Sequence, residues 1–249
     1  MNKKSNNLKK MKNQYYSQVR QDEFLNIVVF NNKENGYFID IGAHNGQTFS
    51  NSLFFELYKN WKGICIEPNP NVFKKLDSFR KSINLNVCIG ESDKVVKFTQ
   101  IEGYAEMLSG ISEKYDKRHI ERIERDLESK GGKRTEIDVK MMKLDSIEEL
   151  KNRQVDFVSI DTEGNEFDIL SSINFNKIDI KALVVENNYG DSRIKEYLLE
   201  FDYIPLIKLD FDEVYLNKNC LSIGIKFRLK IWKLNLFLNR VLKKLKINK

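Results

Sequence analysis

Residues 36–70 read GYFIDIGAHNGQTFSNSLFFELYKNWKGICIEPNP. Tyr37 to Ile41 is a short apolar and β-branched run, predicted as a strand, and it passes into Asp40-Ile41-Gly42-Ala43-His44-Asn45-Gly46. Two glycines there permit a tight turn and a close backbone approach that side chains would block. A helix predicted over 48–58 aims its unpaired N-terminal amides back at the turn and favours an anionic group beside it. A second strand, Gly63 to Ile66, ends in Glu67, and Pro68 and Pro70 close it off. An acid at the tip of the second strand, after a glycine turn at the first, is an arrangement that grips a ribose diol.

Outward from this unit, strands and helices alternate. A helix over 23–30 precedes it, with Phe24, Ile27 and Val28 on one face. A helix over 72–81 leads to a third strand, Leu85 to Ile89, ending at Gly90-Glu91-Ser92. Val95 to Phe98 and Glu136 to Met142 read as extra strands around a charged insert, about 112–132, whose helix is stopped by Gly131-Gly132. The insert is expected either to form a lid over the site or to lie solvated on the body, and its His119 to sit at the surface or to touch substrate. Val155 to Ile160 is a buried strand, followed by a helix over 166–173, a strand Ala182 to Val185 and a helix over 192–201. Strands near 204–209 and 213–217 are close enough for an antiparallel hairpin. The whole predicts an α/β, doubly wound, mostly parallel sheet. In such a sheet the carboxyl ends of the strands share one edge, so Gly42, Glu67 and Gly90 line one crevice.

These residues carry a resemblance. The turn D-I-G-A-x-x-G at 40–46 and the E-P-N-P at 67–70 resemble the first two motifs of Rossmann-like S-adenosylmethionine-dependent methyltransferases. Ser17-Gln-Val-Arg-Gln-Asp22 and Val155-Asp-Phe-Val-Ser-Ile-Asp161-Thr-Glu-Gly-Asn-Glu166-Phe-Asp-Ile-Leu170 are similar to further signatures of one such family, FkbM, in the expected order. The resemblance runs from about Tyr15 to Lys218. It implies a seven-stranded methyltransferase sheet with an antiparallel edge hairpin, and S-adenosylmethionine as cofactor. It also implies a cofactor set of Asp40, Gly42, Ala43, Gly46, Glu67, Pro68, Gly90 and Glu91, with Gln21 and Asp22 closing over the pocket. Adenine is then expected near Gly90 and Glu91, unless Glu91 is only a turn carboxylate.

The 249 residues, 41% of them hydrophobic, suffice for one sizeable core. They divide into a basic tail at 1–14, a methyltransferase domain at 15–225 and a basic amphipathic tail at 226–249. The net charge of +6 is uneven. Residues 1–12 hold five lysines and residues 226–249 hold nine bases, with no acid in either segment, so the remaining 28 bases face 36 acids and the body carries −8. The basic pI near 9.0 therefore describes the tails, and nucleic acid is not an expected partner. Three cysteines, Cys65, Cys88 and Cys220, are an odd number suited to a reducing compartment. No stretch reads as a signal peptide or a membrane span, which leads to a cytoplasmic expectation.

In the C-terminal tail, Phe227, Ile231, Leu234, Leu238, Val241 and Leu245 recur at spacings of four and three, with Phe237 and Leu242 broadening the stripe. Such a helix can lie on the inner, anionic membrane surface, dock on its own body, or pair as a coiled coil. Trp232 and Leu236 fall off the stripe, which favours burial in something softer than a protein groove.

Methyl transfer to a hydroxyl needs a group that accepts its proton. Asp161, at the tip of the fourth strand, is the leading candidate for the base. Glu163 and Glu186 support it or bind polar substrate groups, and His44 is a further catalytic candidate within the glycine turn. A purely cofactor-positioning role for Asp161 is the other reading. Asp145, Asp161, Glu163 and Glu186 offer oxygen ligands for Mg²⁺ as a minor alternative, but their spacing matches no recognised loop, so the first expectation is no metal. Methyltransferases acting on nitrogen commonly resemble one another in an Asn/Asp-Pro-Pro-aromatic segment, whereas this chain reads Asp161-Thr-Glu-Gly, so oxygen is the expected nucleophile. The FkbM resemblance points to hydroxyls on sugars, glycans or small natural products. Two competing readings are a nicotinamide-dependent oxidoreductase, which wants a third glycine that this turn lacks, and a membrane- or nucleic-acid-binding module without catalysis.

Overall fold

The computed structural model describes residues 14–247. From the amino end, α1 (Gln21–Phe24) runs into a π-helical turn (Leu25–Val29), followed by β1 (Tyr37–Ile41), α2 (Leu53–Lys59), β2 (Lys62–Ile66), α3 (Pro70–Phe79) and β3 (Ile83–Leu85). Next come β4 (Cys88–Ile89), β5 (Lys94–Glu102), β6 (Gly110–Ile111), α4 (Lys117–Lys130) and β7 (Lys133–Met142). The chain closes with β8 (Gln154–Ile160), α5 (Glu166–Ser172), β9 (Asp179–Glu186), α6 (Ser192–Glu200), β10 (Tyr203–Leu209), β11 (Asp212–Asn217) and α7 (Ile223–Ile247). All but one residue of the basic N-terminal tail lies outside the described residues, as do the side chains beyond Leu242.

The main sheet has seven strands in the order β10-β11-β9-β8-β1-β2-β3. The pairs β8–β9, β1–β8, β1–β2 and β2–β3 are parallel, while β11 is antiparallel to both β9 and β10. This is the doubly wound sheet with an antiparallel edge that the pattern predicts. Side chains alternate across each strand, so the sheet divides the core in two. One face carries Ile39, Ile41, Ile64, Ile66, Val158 and Ile160. The other is aromatic, with Phe24, Phe38, Phe54, Phe55, Trp61 and Phe157, each contributing roughly 2–3 kcal/mol by burial. Helix starts follow local chemistry. Asn69, Asp116 and Asp191 cap α3, α4 and α6 by accepting from the amide two residues on.

Three expectations need correction. The helix after the glycine turn begins at Leu53, not near Thr48. Asn45 Oδ1 accepts from the amides of Gln47 and Thr48 at 3.0 and 2.8 Å, holding a local turn that competes with the helix. The run 85–89 is two strands. Asn86 Nδ2 donates to the carbonyls of Glu67 and Pro68, bending the chain so that β3 pairs with β2 while β4 joins a separate four-stranded sheet, β4-β7-β5-β6. In the tail, Trp232 and Leu236 pack on the body itself. The Trp232 ring lies edge-on to Phe24 at 5.4 Å and beneath the Arg20 guanidinium at 4.6 Å.

Candidate functional site

At the carboxyl edge of the sheet, Gly42 has φ +85° and its Cα sits so close to β8 that a Cβ would lie 1.7 Å from the Asp161 carbonyl oxygen. A glycine is required there by both backbone angle and space. The amides of Gly42 and Ala43 donate to the Ile66 carbonyl at 2.9 and 3.0 Å, binding the turn to the end of β2. These amides are therefore engaged by protein, and α2 starts too late to aim its own at the turn. The next amide, that of His44, donates to Glu67 Oε2 at 2.9 Å, while Glu67 Oε1 accepts from Asn69 N at 2.8 Å. Each carboxylate oxygen keeps a further lone pair. Burial raises the Glu67 carboxyl to about 7 against the pull of those two amides.

A pocket opens beside Gly42, Glu67 and Pro68 and continues between Val87, Cys88, Ile89 and Phe98 as an apolar slot. The sequence placed this end at Gly90 and Glu91. Gly90 is bound into the second sheet through the Met142 carbonyl, and the Glu91 side chain is 78% exposed and paired with Lys94. Asp40 points to the opposite face of β1 from Ile41. Its carboxylate there accepts from Ser52 at 2.5 Å, near the buried Arg80 that also pairs with Glu56. Gly46 lies against Arg80. Asp22 fastens the amino segment by accepting from Ser17 Oγ and the amides of Tyr16 and Glu23, and Gln21 Nε2 donates to Asp212 Oδ2 at 2.5 Å. The His44 ring turns outward from the turn to Glu106, 3.2 Å from Nε2.

Beyond Gly42, the tips of β8 and β9 bring three acids together. Oxygens of Asp161, Glu163 and Glu186 all lie within 4.8 Å of one another. Asp145, the fourth acid of the sequence set, is elsewhere, paired with Lys177 at 2.9 Å. Asp161 and Glu186 face each other at close range, where two charged carboxylates would repel, so protonation of one relieves the pair. Burial, then the neighbouring carboxylates, hold both far above the usual carboxylate range. Glu163 is raised to about 7, chiefly by burial and opposed by Arg122. Glu166 plays another part. Its Oε1 accepts from Thr162 N, Thr162 Oγ1 and Gly164 N and so shapes the loop that carries Glu163 at φ +59°.

The charged insert covers this cluster. His119 is fully buried, contrary to the surface expectation, because it sits on the inner face of α4. Its Nε2 is 3.1 Å from the Leu108 carbonyl, its ring stacks on Tyr115, and Nδ1 lies 3.4 Å from the Tyr189 hydroxyl and 3.7 Å from Glu163 Oε2. Burial lowers its basicity, and Arg122 supplies the positive charge, 3.6 Å from Glu163. Sequence reasoning missed Arg122, Tyr115 and Tyr189. The available signal was the three-residue step from His119 to Arg122, which places both on one helical face.

A doubly wound sheet of seven strands, with an antiparallel edge and a glycine turn and acid at its carboxyl side, is the architecture of the Rossmann-like methyltransferases. The model of the methyltransferase FkbM domain matches residues 40–211, and the chain belongs to the FkbM methyltransferase family. A crystal structure of methyltransferase FkbM from Methylobacillus flagellatus KT is similar at a TM-score of 0.44 and 15% identity, covering 73% of this chain and 43% of that one. This chain thus spans less than half of that structure. A human methyltransferase 10 domain containing protein (TM-score 0.39, 11% identity, 80% of this chain and 79% of that one) and the delta-N METTL16 MTase domain (0.39, 11%, 80% and 81%) are also similar. No curated protein matches the sequence.

Proposed function

We propose that the chain methylates a hydroxyl of a sugar, a glycan or a small natural product, using S-adenosylmethionine. The observation that carries the reading is the cluster of Asp161, Glu163 and Glu186, whose oxygens lie within 4.8 Å of one another beside the Gly42–Glu67 pocket. The pocket's residues fit the cofactor. Glu67 has lone pairs free for a ribose diol, and Val87, Cys88 and Ile89 form an apolar slot suited to adenine. Bound there, the cofactor supplies an electrophilic methyl group.

The protein's own part is to hold the acceptor and take its proton. Once one carboxylate of the Asp161–Glu186 pair is ionised, its raised basicity lets it accept a hydroxyl proton more readily than an ordinary aspartate. Outside the cluster, a groove runs past Lys114, Arg118, Asp168, Asn188, Tyr189 and Arg193, with Arg118 and Arg193 lying over the Tyr189 and Phe167 rings. Charged and amide groups of this kind suit the hydroxyls of a polar acceptor. The α4 cap covers one side of the cluster and sets His119 and Arg122 against Glu163.

The test is labelled methyl transfer onto sugar nucleotides, lipid-linked glycans and small hydroxylated metabolites, with Asp161→Asn as control. Turnover on a hydroxylated acceptor that collapses in the variant supports the reading, and unchanged turnover removes the base assignment. Calorimetry with S-adenosylhomocysteine and with NAD separates methyl transfer from a nicotinamide reaction.

A further inference from the structure

Helix α7 presents two opposite faces. Ile225, Leu229, Trp232 and Leu236 lie on one side and pack on the aromatic core cluster, and Arg228 Nε donates to the Val28 carbonyl at 2.9 Å. At 100° per residue, Phe227, Ile231, Leu234, Leu238 and Val241 fall on the other side, with Ile231 at the margin of a groove that also holds Arg20, Glu23 and Ile27. All five are exposed, Phe227 at 65%, and Phe237 and Leu242 widen the strip at 61% and 55%. From Phe237 to Leu242 every side chain is exposed, so the helix runs past the body it docks on. Lys226, Lys230, Lys233 and Arg240 flank the strip along one edge, and residues 226–249 contain nine bases and no acid.

A strip of this size left open on a docked helix calls for an occupant. A second copy of α7 fits the spacing but not the charge. Every ionisable group brought to the seam would be a base, with no acid to pair it, and the strip is wider than a two-position seam. A surface that is negative and apolar beneath satisfies both features.

We infer that α7 is a peripheral anchor, lying along an anionic lipid surface with Phe227, Ile231, Leu234 and Leu238 among the acyl chains and the lysine row at the headgroups. No helix among the described residues is long and apolar enough to cross a membrane, so the contact is with one leaflet. Each base near the surface adds roughly fivefold to partitioning.

The experiment is sedimentation of the full chain with phosphatidylcholine vesicles, with and without phosphatidylglycerol. The variants are Ile231→Ser/Leu234→Ser/Leu238→Ser and Lys230→Gln/Lys233→Gln/Arg240→Gln. The anchor predicts binding that depends on phosphatidylglycerol and weakens with salt, falling at least about tenfold in each variant. These positions are exposed, so thermal melts remain at the wild-type midpoint and exclude misfolding. Equal binding to both vesicle types, no binding to either, or wild-type binding by both variants overturns the proposal. So does a dimer in analytical ultracentrifugation that the serine variant abolishes, since it gives the strip to a second copy. Methyl transfer to a soluble acceptor is unaffected by either variant, so this result and the enzymatic reading stand or fall separately.

Discussion

The amide of His44 donates to Glu67 Oε2 at 2.9 Å, tying the tip of β2 to the glycine turn that follows β1. This bond joins the two motifs that carry the resemblance to Rossmann-like methyltransferases, and it holds an acid in place with capacity for two further donors. Glu67→Gln keeps the shape but replaces one acceptor oxygen with a donor. S-adenosylhomocysteine affinity is expected to fall by about tenfold or more, since a hydrogen bond to a charged group contributes roughly 1.5–3 kcal/mol. Isothermal calorimetry checks it. In the wild type, affinity is expected to fall as the pH is lowered through about 7, because a protonated Glu67 loses acceptor capacity.

The proposed base should separate chemistry from cofactor binding. Asp161→Asn and Glu186→Gln each remove one carboxyl of the buried cluster and are expected to lower kcat by about 10²–10⁴. Affinity for S-adenosylhomocysteine stays within a few-fold, as neither substitution touches Glu67. A parallel loss of cofactor affinity would instead make Asp161 a positioning residue for the cofactor.

The same acids set an unusual dependence of stability on pH. Glu67 and Glu163, raised from 4.5 to about 7, and Glu186, raised further, keep protons in the folded state that the unfolded chain releases. Where the native state binds more protons, stability falls as pH rises. Thermal midpoints should therefore drop between pH 4.5 and about 7. Below this window Asp156, held low by Lys181 and Lys33 despite its burial, acts in the opposite sense as it is protonated. The maximum should lie near pH 4.5–5, and Glu186→Gln should flatten the descent above it. A midpoint that rises from pH 5 to 7 would contradict the buried, proton-holding cluster.

The sheet was legible because its signals are local. Alternating apolar runs, Gly42 at the turn and Asn69-Pro70 at a helix start each act within a few residues. What escaped depends on distance. Glu91 sits where the pattern puts the adenine end, yet it turns outward because Asn86 redirects the chain after β3. His119 reads as a solvated helix residue, and only the packing of α4 over β8 and β9 brings it to Glu163. Trp232 lies off the apolar stripe for a reason no periodicity displays: that face of α7 already has a partner in Phe24.

Gly42 offers the strictest test of the site's construction. An added methyl would overlap the Asp161 carbonyl oxygen, at 1.7 Å, and the backbone angle of +85° disfavours any side chain. Relief requires the tip of β8 to retreat, and that movement carries Asp161 away from the pocket and breaks the bond from Asp161 N to the Ile41 carbonyl at 3.0 Å. Gly42→Ala is expected to cost at least about 4 kcal/mol, the range reserved for backbone clashes and broken networks, and to abolish methyl transfer. Gly131 has a similar angle, +71°, but no atom within 4 Å of its Cβ position. Gly131→Ala should cost only about 1–3 kcal/mol, the penalty of its positive φ with ψ 176° alone. Denaturant unfolding of the two variants measures the difference, which isolates the close approach of β1 and β8 from the conformational cost; equal destabilisation would mean that the two strand tips are not in contact.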